Sequence, residues 1–269
     1  MPARVAILMA VYHRERPDFF AESLESVLCQ TYKDIGVHLY EDGILNEALD
    51  CVVSDYCGRF KNLHVYRNAS QRGLAVCLNE LITLLRDKYL YFARMDSDDV
   101  SFPDRIEKQV RFMEANPHVD VLGGTIVDMD TQGKVLKQVS YPTTHDEVLQ
   151  FFKKRNPIAH VTAMYRKSYF DKAGLYPPIR LEDGLYWMQG FLGGCIFHNI
   201  PEPLVYVRRT DNFLKRRSGF RMCWEELRIK MKINRNLRLG FTSNLYAVGM
   251  FGIQLLPVPV KKFLYNRLR

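Results

Sequence analysis

The hydrophobic positions of the first 100 residues follow two different periods. Continuous apolar runs of strand length, of which Val5–Val11 is the first, are separated by segments whose apolar residues recur every three or four positions. A continuous run is typical of a strand buried on both faces, and the longer spacing is typical of an amphipathic helix. The pattern predicts strands at 5–11, 37–40, 63–66 and 89–95, and helices at 20–28, 46–57 and 74–85. Strands alternating with helices predict a parallel sheet with right-handed crossovers.

The second half of the chain has a mixed pattern. Strand-like segments at 119–127 and 134–140 flank a turn signal at Asp130–Gly133, which predicts a β-hairpin. Residues 183–192 have a helical pattern, and residues 204–207 an extended one. The composition changes near residue 210, which is the one plausible domain boundary in the sequence.

Charge is distributed unevenly along the chain. The net charge is +8, but residues 208–269 carry 15 Lys and Arg against three Asp and Glu, whereas the first 207 residues sum to −4. Such a basic tail indicates an anionic partner, either a membrane surface or nucleic acid.

The tail also contains an apolar segment. A basic helix is predicted at 219–239, and the segment 245–260 that follows is mostly apolar and interrupted by Pro257 and Pro259. It is shorter than the roughly 20 residues that span a bilayer, and its Lys and Arg flanks fit the surface of an anionic leaflet. The alternative interpretation is a helix packed back on the body of the protein.

The overall composition excludes several protein classes. With 47% apolar and 25% charged residues, the chain is neither disordered nor collagen-like. The six cysteines include no CxxC pair, which disfavours a zinc site or a disulfide framework and favours reduced thiols. The sequence shows no signal-peptide pattern and no apolar run of about 18 residues, so we expect a cytoplasmic protein without a spanning helix.

Acidic side chains follow two of the predicted strands. Asp42 follows the second strand, and Asp96, Asp98 and Asp99 follow the fourth. Carboxylates this close repel one another unless a cation lies among them, and oxygen ligands suit Mg2+ or Mn2+. The competing interpretation is a solvated acidic turn that caps the helix beginning near Pro103. Asp42 favours the cation, because ligands of parallel sheets bind beyond the carboxyl ends of the strands, where both acidic sites converge.

Nine short motifs occur in order along the chain. They are Ala10–Tyr12, Gln30–Tyr32, Glu41–Gly43, Asn68 with Arg72–Leu74, Ala93–Asp99, Pro103–Arg105, Asn156–His160, Met164–Lys167, and Glu182–Asp183 with Trp187. Together they resemble the family 2 inverting glycosyltransferases of the GT-A fold, in particular bacterial enzymes that build O-antigen, capsule or exopolysaccharide. The resemblance covers about residues 4–212.

The resemblance implies an α/β fold and a domain organisation. The expected architecture is the GT-A Rossmann-like nucleotide-sugar-binding fold with a mostly parallel central sheet. Residues 1–212 would be the catalytic domain, with a nucleotide-binding half at about 1–100 and an acceptor half at about 101–212. Residues 213–269 would be a basic, amphipathic, membrane-associating tail.

The resemblance also implies residues that bind the nucleotide-sugar. Val11 and Tyr12 would line the pocket for the base, and Asp42 would bind the base or the ribose. Arg72 matches a basic position near the nucleotide. Asp96, the first acid of the family's DxD motif, would reach the ribose or the donor sugar.

A divalent cation, Mn2+ or Mg2+, is the implied cofactor. Asp98, the second acid of the DxD motif, would bind the metal, together with Asp96. Asp99 would share the metal or hold its waters.

The implied general base is Asp183, with Glu182 beside it. The competing interpretation of this pair is a helix N-terminus, where acidic residues are favoured. His160 is more simply explained as a structural residue. Tyr186 and Trp187 can stack on an acceptor sugar, although core packing is the more common role of such residues.

Two positions depart from the family pattern. Glu41–Gly43 stands where the family often has Asp-Asp-Gly, but it retains the second acid. Val207–Thr210 stands where many relatives have Tyr-Arg-x-His, so Thr210 replaces a histidine that can contact the metal or the pyrophosphate. Arg208 or Arg209 can instead donate charge-assisted hydrogen bonds to the pyrophosphate.

The sequence therefore predicts a metal-dependent inverting glycosyltransferase on the inner face of the cell membrane. The resemblance implies a nucleotide-diphosphate sugar as donor, a UDP-hexose or UDP-N-acetylhexosamine, and a glycan hydroxyl on a lipid carrier as acceptor. One alternative is another metal-dependent enzyme of nucleotide-sugars, such as a hydrolase or nucleotidyltransferase. The other is a nucleic-acid-binding protein that uses the basic tail, but no nucleic-acid motif occurs, so we expect no nucleic-acid partner.

Overall fold

The first hundred residues alternate strand and helix as predicted. The structure, a computed structural model, describes residues 5–209 and 219–256. Its first elements are β1 (Val5–Val11), α1 (Pro17–Leu28), β2 (Ile35–Asp42), α2 (Glu47–Arg59), β3 (Leu63–Asn68), α3 (Leu74–Leu85) and β4 (Tyr91–Met95). These four strands lie side by side in the order β3-β2-β1-β4, all parallel. Their carboxyl ends therefore share one edge of the sheet.

The next elements connect and extend this sheet. They are β5 (Val100–Ser101), α4 (Arg105–Ala115), β6 (Val121–Met129), β7 (Val135–Val139), α5 (His145–Phe152), a 3-10 helix (His160–Thr162), β8 (Met164–Arg166), α6 (Lys167–Ala173), α7 (Glu182–Leu192) and β9 (Phe197–Arg208). Strands β6 and β7 form the predicted antiparallel hairpin.

Strand β9 is longer than the extended segment predicted at 204–207. It contains Pro201 and Pro203, which cannot donate a ladder hydrogen bond and which disguise the strand in the sequence. Its register with β6 shifts on either side of Thr125, where the irregularity accommodates this stretch.

Among the described residues, nine strands form one sheet. Its order is β3-β2-β1-β4-β8-β6-β9-β5, and β7 pairs with β6. Strand β8 is antiparallel to both β4 and β6, so β6 and its parallel neighbour β9 run in the same direction as β1–β4. The prediction of a mostly parallel central sheet is confirmed.

The sheet is buried on both faces. Along β1, Val5, Ile7 and Met9 pack with the helices of one face, whereas Ala6 and Leu8 pack with those of the other. This alternation explains the continuous apolar runs of the sequence, because every position of a doubly covered strand faces a hydrophobic layer.

Two helices follow the body of the protein. Helix α8 (Phe220–Asn236) is the predicted basic helix, and helix α9 (Phe241–Leu255) follows it. Ile233 of α8 is 2% exposed and belongs to the hydrophobic cluster on the α7 side of the sheet, and Asn234 Nδ2 donates to Asn244 Oδ1 at 2.9 Å. Helix α8 thus packs back on the body, and α9 packs on α8. Thr210, Pro257, Pro259 and the basic residues after them lie outside the described residues.

Not one helix within 5–209 and 219–256 combines the length and the hydropathy needed to cross a bilayer.

Candidate functional site

Three carboxylates converge directly after β4. Carboxylate oxygens of Asp96, Asp98 and Asp99 lie within 4.8 Å of one another. Asp99 is 3% exposed, and its burial, together with the charges of Asp98 and Asp96, holds its pKa well above the ordinary value. A divalent cation among these oxygens would relieve the repulsion, and an all-oxygen donor set is what Mg2+ and Mn2+ prefer. The residues present therefore fit such an ion.

The interpretation of this cluster as a solvated helix cap does not fit the structure. Asp99 is buried rather than solvated. Strand β5 also separates the cluster from α4, which begins only at Arg105.

A buried arginine orients the first of these carboxylates. The Arg94 guanidinium contacts both oxygens of Asp96 as a fork. Burial disfavours the charged form of Arg94, but the Asp96 carboxylate outweighs this effect and raises the pKa of the arginine. Arg94 itself is held by Arg105, whose Nη2 donates to its carbonyl oxygen at 2.8 Å. Asp96 is thus fixed and its charge is matched from within the protein.

Arg208, at the end of β9, holds the other two acids. Its backbone N–H donates to Asp99 Oδ1 at 2.8 Å, and its Nε donates to the Asp98 carbonyl oxygen at 2.9 Å. Its side chain is 2% exposed, and its guanidinium also forms an ion pair with Glu22. Arg209 pairs with the buried Asp128 in the same way, at 2.6 Å. Pyrophosphate binding by either arginine stays a prediction.

The residues predicted to bind the nucleotide lie at the ends of β1 and β2. Asp42 Oδ1 accepts from the Arg72 backbone N–H at 2.6 Å, and Asp42 Oδ2 accepts from the Gly73 N–H at 3.0 Å. The Arg72 side chain contacts Tyr40 and Glu80. The Val11 side chain is part of the core, so the half-exposed Tyr12 is the member of that pair that a base would contact. The ligand roles of these residues stay predictions.

The Glu182–Asp183 pair begins helix α7, as the helix-terminus interpretation also expects. Leu181 before it has a left-handed backbone, with φ +64°, a strained conformation for leucine that places both acids at the helix start. Asp183 Oδ2 accepts from Asn156 Nδ2 at 2.7 Å, and Asp183 Oδ1 accepts from the Gly184 N–H at 2.8 Å. Burial raises the pKa of the Glu182 carboxyl.

Glu182 of this pair lies close enough to the acidic cluster after β4 for the two to interact through their charges. The charges of Arg94 and Asp96 both act on the pKa of Glu182, after the larger effect of burial. His160 Nδ1 lies 3.8 Å from Glu182 Oε1, and burial with the nearby Arg94 charge holds the pKa of His160 well below the ordinary value.

His160 has the structural role expected for it. Its Nε2 is 2.9 Å from the Tyr176 hydroxyl, which is 2.7 Å from the Tyr165 hydroxyl.

Tyr186 and Trp187 are both 0% exposed. Stacking of these two rings on an acceptor sugar is therefore wrong as an interpretation, because they are enclosed in the core.

Solved structures share this architecture. The mannosyltransferase PcManGT from Pyrobaculum calidifontis, solved with GDP-Man and Mn2+, matches with a TM-score of 0.64 at 14% identity, over 98% of this chain and 79% of that one. S. aureus TarS 1–349 with UDP-GlcNAc matches with a TM-score of 0.62 at 17% identity, over 96% of this chain and 82% of that one. The likeness confirms the predicted GT-A fold.

Relatives in sequence extend over the whole chain, including the tail. An uncharacterized glycosyltransferase of Haemophilus influenzae is 33% identical over 98% of both chains. The amylovoran biosynthesis glycosyltransferase AmsE of Erwinia amylovora is 30% identical over 97% of this chain and 98% of its own. An Escherichia coli UDP-Gal:alpha-D-GlcNAc-diphosphoundecaprenol beta-1,3-galactosyltransferase is 24% identical over 98% of this chain and 96% of its own.

Residues 6–174 match the sequence profile described as glycosyl transferase family 2. That range contains the β1–β4 sheet and the acidic cluster. The chain therefore belongs to glycosyl transferase family 2 and is a glycosyltransferase.

Proposed function

We propose that this glycosyltransferase moves a sugar, with inversion, from a UDP-hexose or UDP-N-acetylhexosamine to a hydroxyl of a lipid-linked glycan. The observation that supports this proposal is an acidic cluster suited to a divalent cation, whose Asp96 acts on the pKa of Glu182, the neighbour of a carboxylate oriented by Asn156. A diphosphate bound to that cation would lie beside the acidic cluster, and the acceptor hydroxyl would lie beside Asp183.

The proposed role of Asp183 is to take the proton from the acceptor hydroxyl. Asn156 donates to one oxygen of this carboxylate and so fixes its plane. A base within about 2.6–3.2 Å of the hydroxyl makes its oxygen nucleophilic as the proton leaves. That oxygen forms the new bond to the anomeric carbon from the face opposite the diphosphate. The bond from the anomeric carbon to the diphosphate oxygen breaks at the same time, and its electron pair leaves with the nucleoside diphosphate.

The proposed role of Asp98, Asp99 and Asp96 is to hold the divalent cation. The chemistry supplied by the ion, when bound, is neutralisation of the charge that develops on the leaving diphosphate. Arg94 fixes the Asp96 carboxylate and the Arg208 backbone fixes the Asp99 carboxylate, so these two acids need little rearrangement when the donor binds.

The choice of donor and acceptor draws on related proteins. TarS was solved with UDP-GlcNAc, and the E. coli relative is named for UDP-Gal and for an acceptor on diphosphoundecaprenol. Nucleotide-sugars should therefore be screened for release of nucleoside diphosphate in the presence of a lipid-linked acceptor. Release that depends on the acceptor supports transfer, whereas equal release without acceptor would support the hydrolase alternative.

We also propose that the tail holds the enzyme on the inner face of the membrane. Four apolar residues of α9 lie on one side of the helix at spacings of four, three and seven, and each is at least 45% exposed: Phe241, Leu245, Val248 and Leu255. The buried residues of α9 are Ser243 and Ala247, which lie between these apolar residues in sequence and pack inward. An apolar helix face beside a basic tail is suited to an anionic leaflet.

Replacing Phe241, Leu245 and Val248 together with serine is expected to release the protein from vesicles. Each such side chain contributes about 1.5–3 kcal/mol when fully buried, and salt does not screen this part. Each basic residue near an anionic surface adds about 1 kcal/mol, which salt does screen. Flotation of the native chain with anionic vesicles should thus weaken in high salt without vanishing, and neutral vesicles should bind less.

The matched control changes Leu84, Leu90 and Val135 to serine, since these are equally exposed apolar residues outside the tail. Substitution is preferable to deletion of residues 241–269, because Ser243 and Ala247 cover α8 and their loss would uncover it. A triple tail variant that floats like the native chain would contradict the proposal. Binding to DNA instead of vesicles would support the nucleic-acid alternative.

A further inference from the structure

A cavity of about 240 Å³ opens beside the proposed base. Asp183 and Gly184 line it from the body, and helices α8 and α9 form its other wall. Much of that wall is apolar, and it includes Leu227, Ala247 and Met250. The tail is therefore part of the surroundings of Asp183 and not only a membrane attachment.

Three basic residues line the same cavity: Lys154, Arg155 and Lys230. Lys230 is largely enclosed. Its Nζ donates to the Phe152 carbonyl oxygen and lies 4.9 Å from the centre of the Phe152 ring. Burial lowers the pKa of Lys230 to about 8. An enclosed ammonium group is costly unless an anion compensates it, so a lysine here is suited to an anionic ligand. Two carboxylates, Asp183 and Glu226, line the cavity as well, so its basic residues outnumber its acidic ones by three to two.

The apolar wall continues to an exposed aromatic cluster. Phe251 lines the cavity, and its ring centre is 6.0 Å from that of Phe220 and 5.9 Å from that of Trp224. Phe220 is 66% exposed and Trp224 is 47% exposed. Aromatic rings of this kind are typical of the boundary between water and lipid. The cavity thus joins the proposed base to a surface suited to lipid.

We propose that this cavity binds the diphosphate and the first part of the isoprenoid chain of a polyprenyl-diphosphate-linked acceptor. Lys230, Lys154 and Arg155 would contact the diphosphate, and the chain would leave along α9 past Phe251. The acceptor glycan would then point toward Asp183. The cavity is smaller than the ~300–1,000 Å³ of sites that enclose a drug-sized ligand, so most of the lipid stays outside, in the membrane. This inference rests on the proposed glycosyl transfer, whose acceptor it specifies.

The test is a titration of the full chain with farnesyl diphosphate. Saturating UDP and Mg2+ are present throughout, so that the diphosphate does not occupy the donor site. We expect farnesyl diphosphate to bind more tightly than either farnesol or inorganic pyrophosphate, because each of these lacks one half of the ligand. Lys230→Met should weaken farnesyl diphosphate binding by about tenfold or more, the effect typical of a lost hydrogen bond to a charged group. Farnesol binding should not change.

The matched control is Lys232→Met, which removes an equal charge from an exposed position of the same helix. Lys230→Met removes a charge that burial disfavours but also the hydrogen bond to the Phe152 carbonyl oxygen, so thermal melting at neutral pH is measured to establish that both variants are folded. Ala247→Leu, which narrows the apolar wall, should weaken both farnesyl diphosphate and farnesol.

The outcomes separate this inference from the proposed function. Equal effects of Lys230→Met and Lys232→Met would overturn the inference, as would pyrophosphate binding as tight as that of farnesyl diphosphate. Loss of farnesyl diphosphate binding in Asp98→Asn would assign the ligand to the donor site and overturn it too. UDP-sugar binding is measured on the same variants, and its absence from the native chain would instead refute the proposed function.

Discussion

Replacing Asp98 with asparagine is expected to abolish sugar transfer while the protein stays folded. The substitution removes an anionic oxygen ligand at nearly constant volume, and the affinity for a divalent cation depends on such ligands. The charge of Asp98 also raises the pKa of Asp99, after the larger effect of burial. Its removal should therefore lower that pKa and leave the free energy of unfolding of the metal-free protein unchanged or higher.

The measurements are acceptor-dependent release of nucleoside diphosphate, calorimetric titration with Mn2+, and thermal melting with and without the ion. The native chain should gain thermal stability with Mn2+, and Asp98→Asn should gain much less. Asp146→Asn, an exposed aspartate on α5, is the control and should behave like the native chain. Full activity of Asp98→Asn, or of the native enzyme in excess EDTA, would count decisively against a metal at this cluster.

Replacing Asp183 with asparagine is expected to lower kcat by roughly 10²–10⁴-fold, the range typical of a lost general base. An asparagine side-chain oxygen can still accept the hydrogen bond that Asn156 donates to Asp183 Oδ2, whereas the bond from the Gly184 N–H to Oδ1 is lost together with the proton acceptor. Affinity for the nucleotide-sugar should survive, because the proposed role of the residue is toward the acceptor.

Two companion variants sharpen this test. Asn156→Ala keeps the Asp183 carboxylate but removes the hydrogen-bond donor that orients it. We expect this variant to lose less kcat than Asp183→Asn. Glu182→Gln tests the neighbouring acid, whose pKa burial raises. If Glu182→Gln lost activity as severely as expected for Asp183→Asn, while Asp183→Asn remained active, the base would be Glu182. A collapse of donor affinity in Asp183→Asn with normal turnover of bound donor would also contradict the assigned role.

The sequence was sufficient for the elements whose pattern reflects burial on both faces of the sheet. Strand β1 was predicted with its observed bounds because all seven of its positions face a hydrophobic layer. The acidic cluster was visible because its members are adjacent in sequence. Strand β9 was underestimated because its two prolines are permitted only by a shift of register, which depends on the facing strand.

Other parts of the site depend on distances that a sequence does not contain. Arg94 belongs to a motif that was recognised in the sequence, but its contacts with both carboxylate oxygens of Asp96 became visible only in the folded structure. Arg208 was predicted as a ligand of pyrophosphate, which stays a prediction, but its contacts with Asp99 and with the Asp98 carbonyl oxygen could not be read from the sequence. Lys230 resembled the other basic residues of a solvated helix. Its enclosure beside Asp183 became visible only when α8 was seen against the body.

The bond from the Arg208 backbone to Asp99 has a consequence for protein synthesis. These two residues are 109 positions apart, and the acidic cluster precedes β9 along the chain. A nascent chain emerging from the ribosome therefore exposes the three carboxylates well before the strand that holds the Asp99 carboxylate has been made. Contacts between such distant positions carry a large cost of loop closure and form after local ones. The finished cation site is thus acquired late, and a ribosome-bound chain that ends before β9 lacks it.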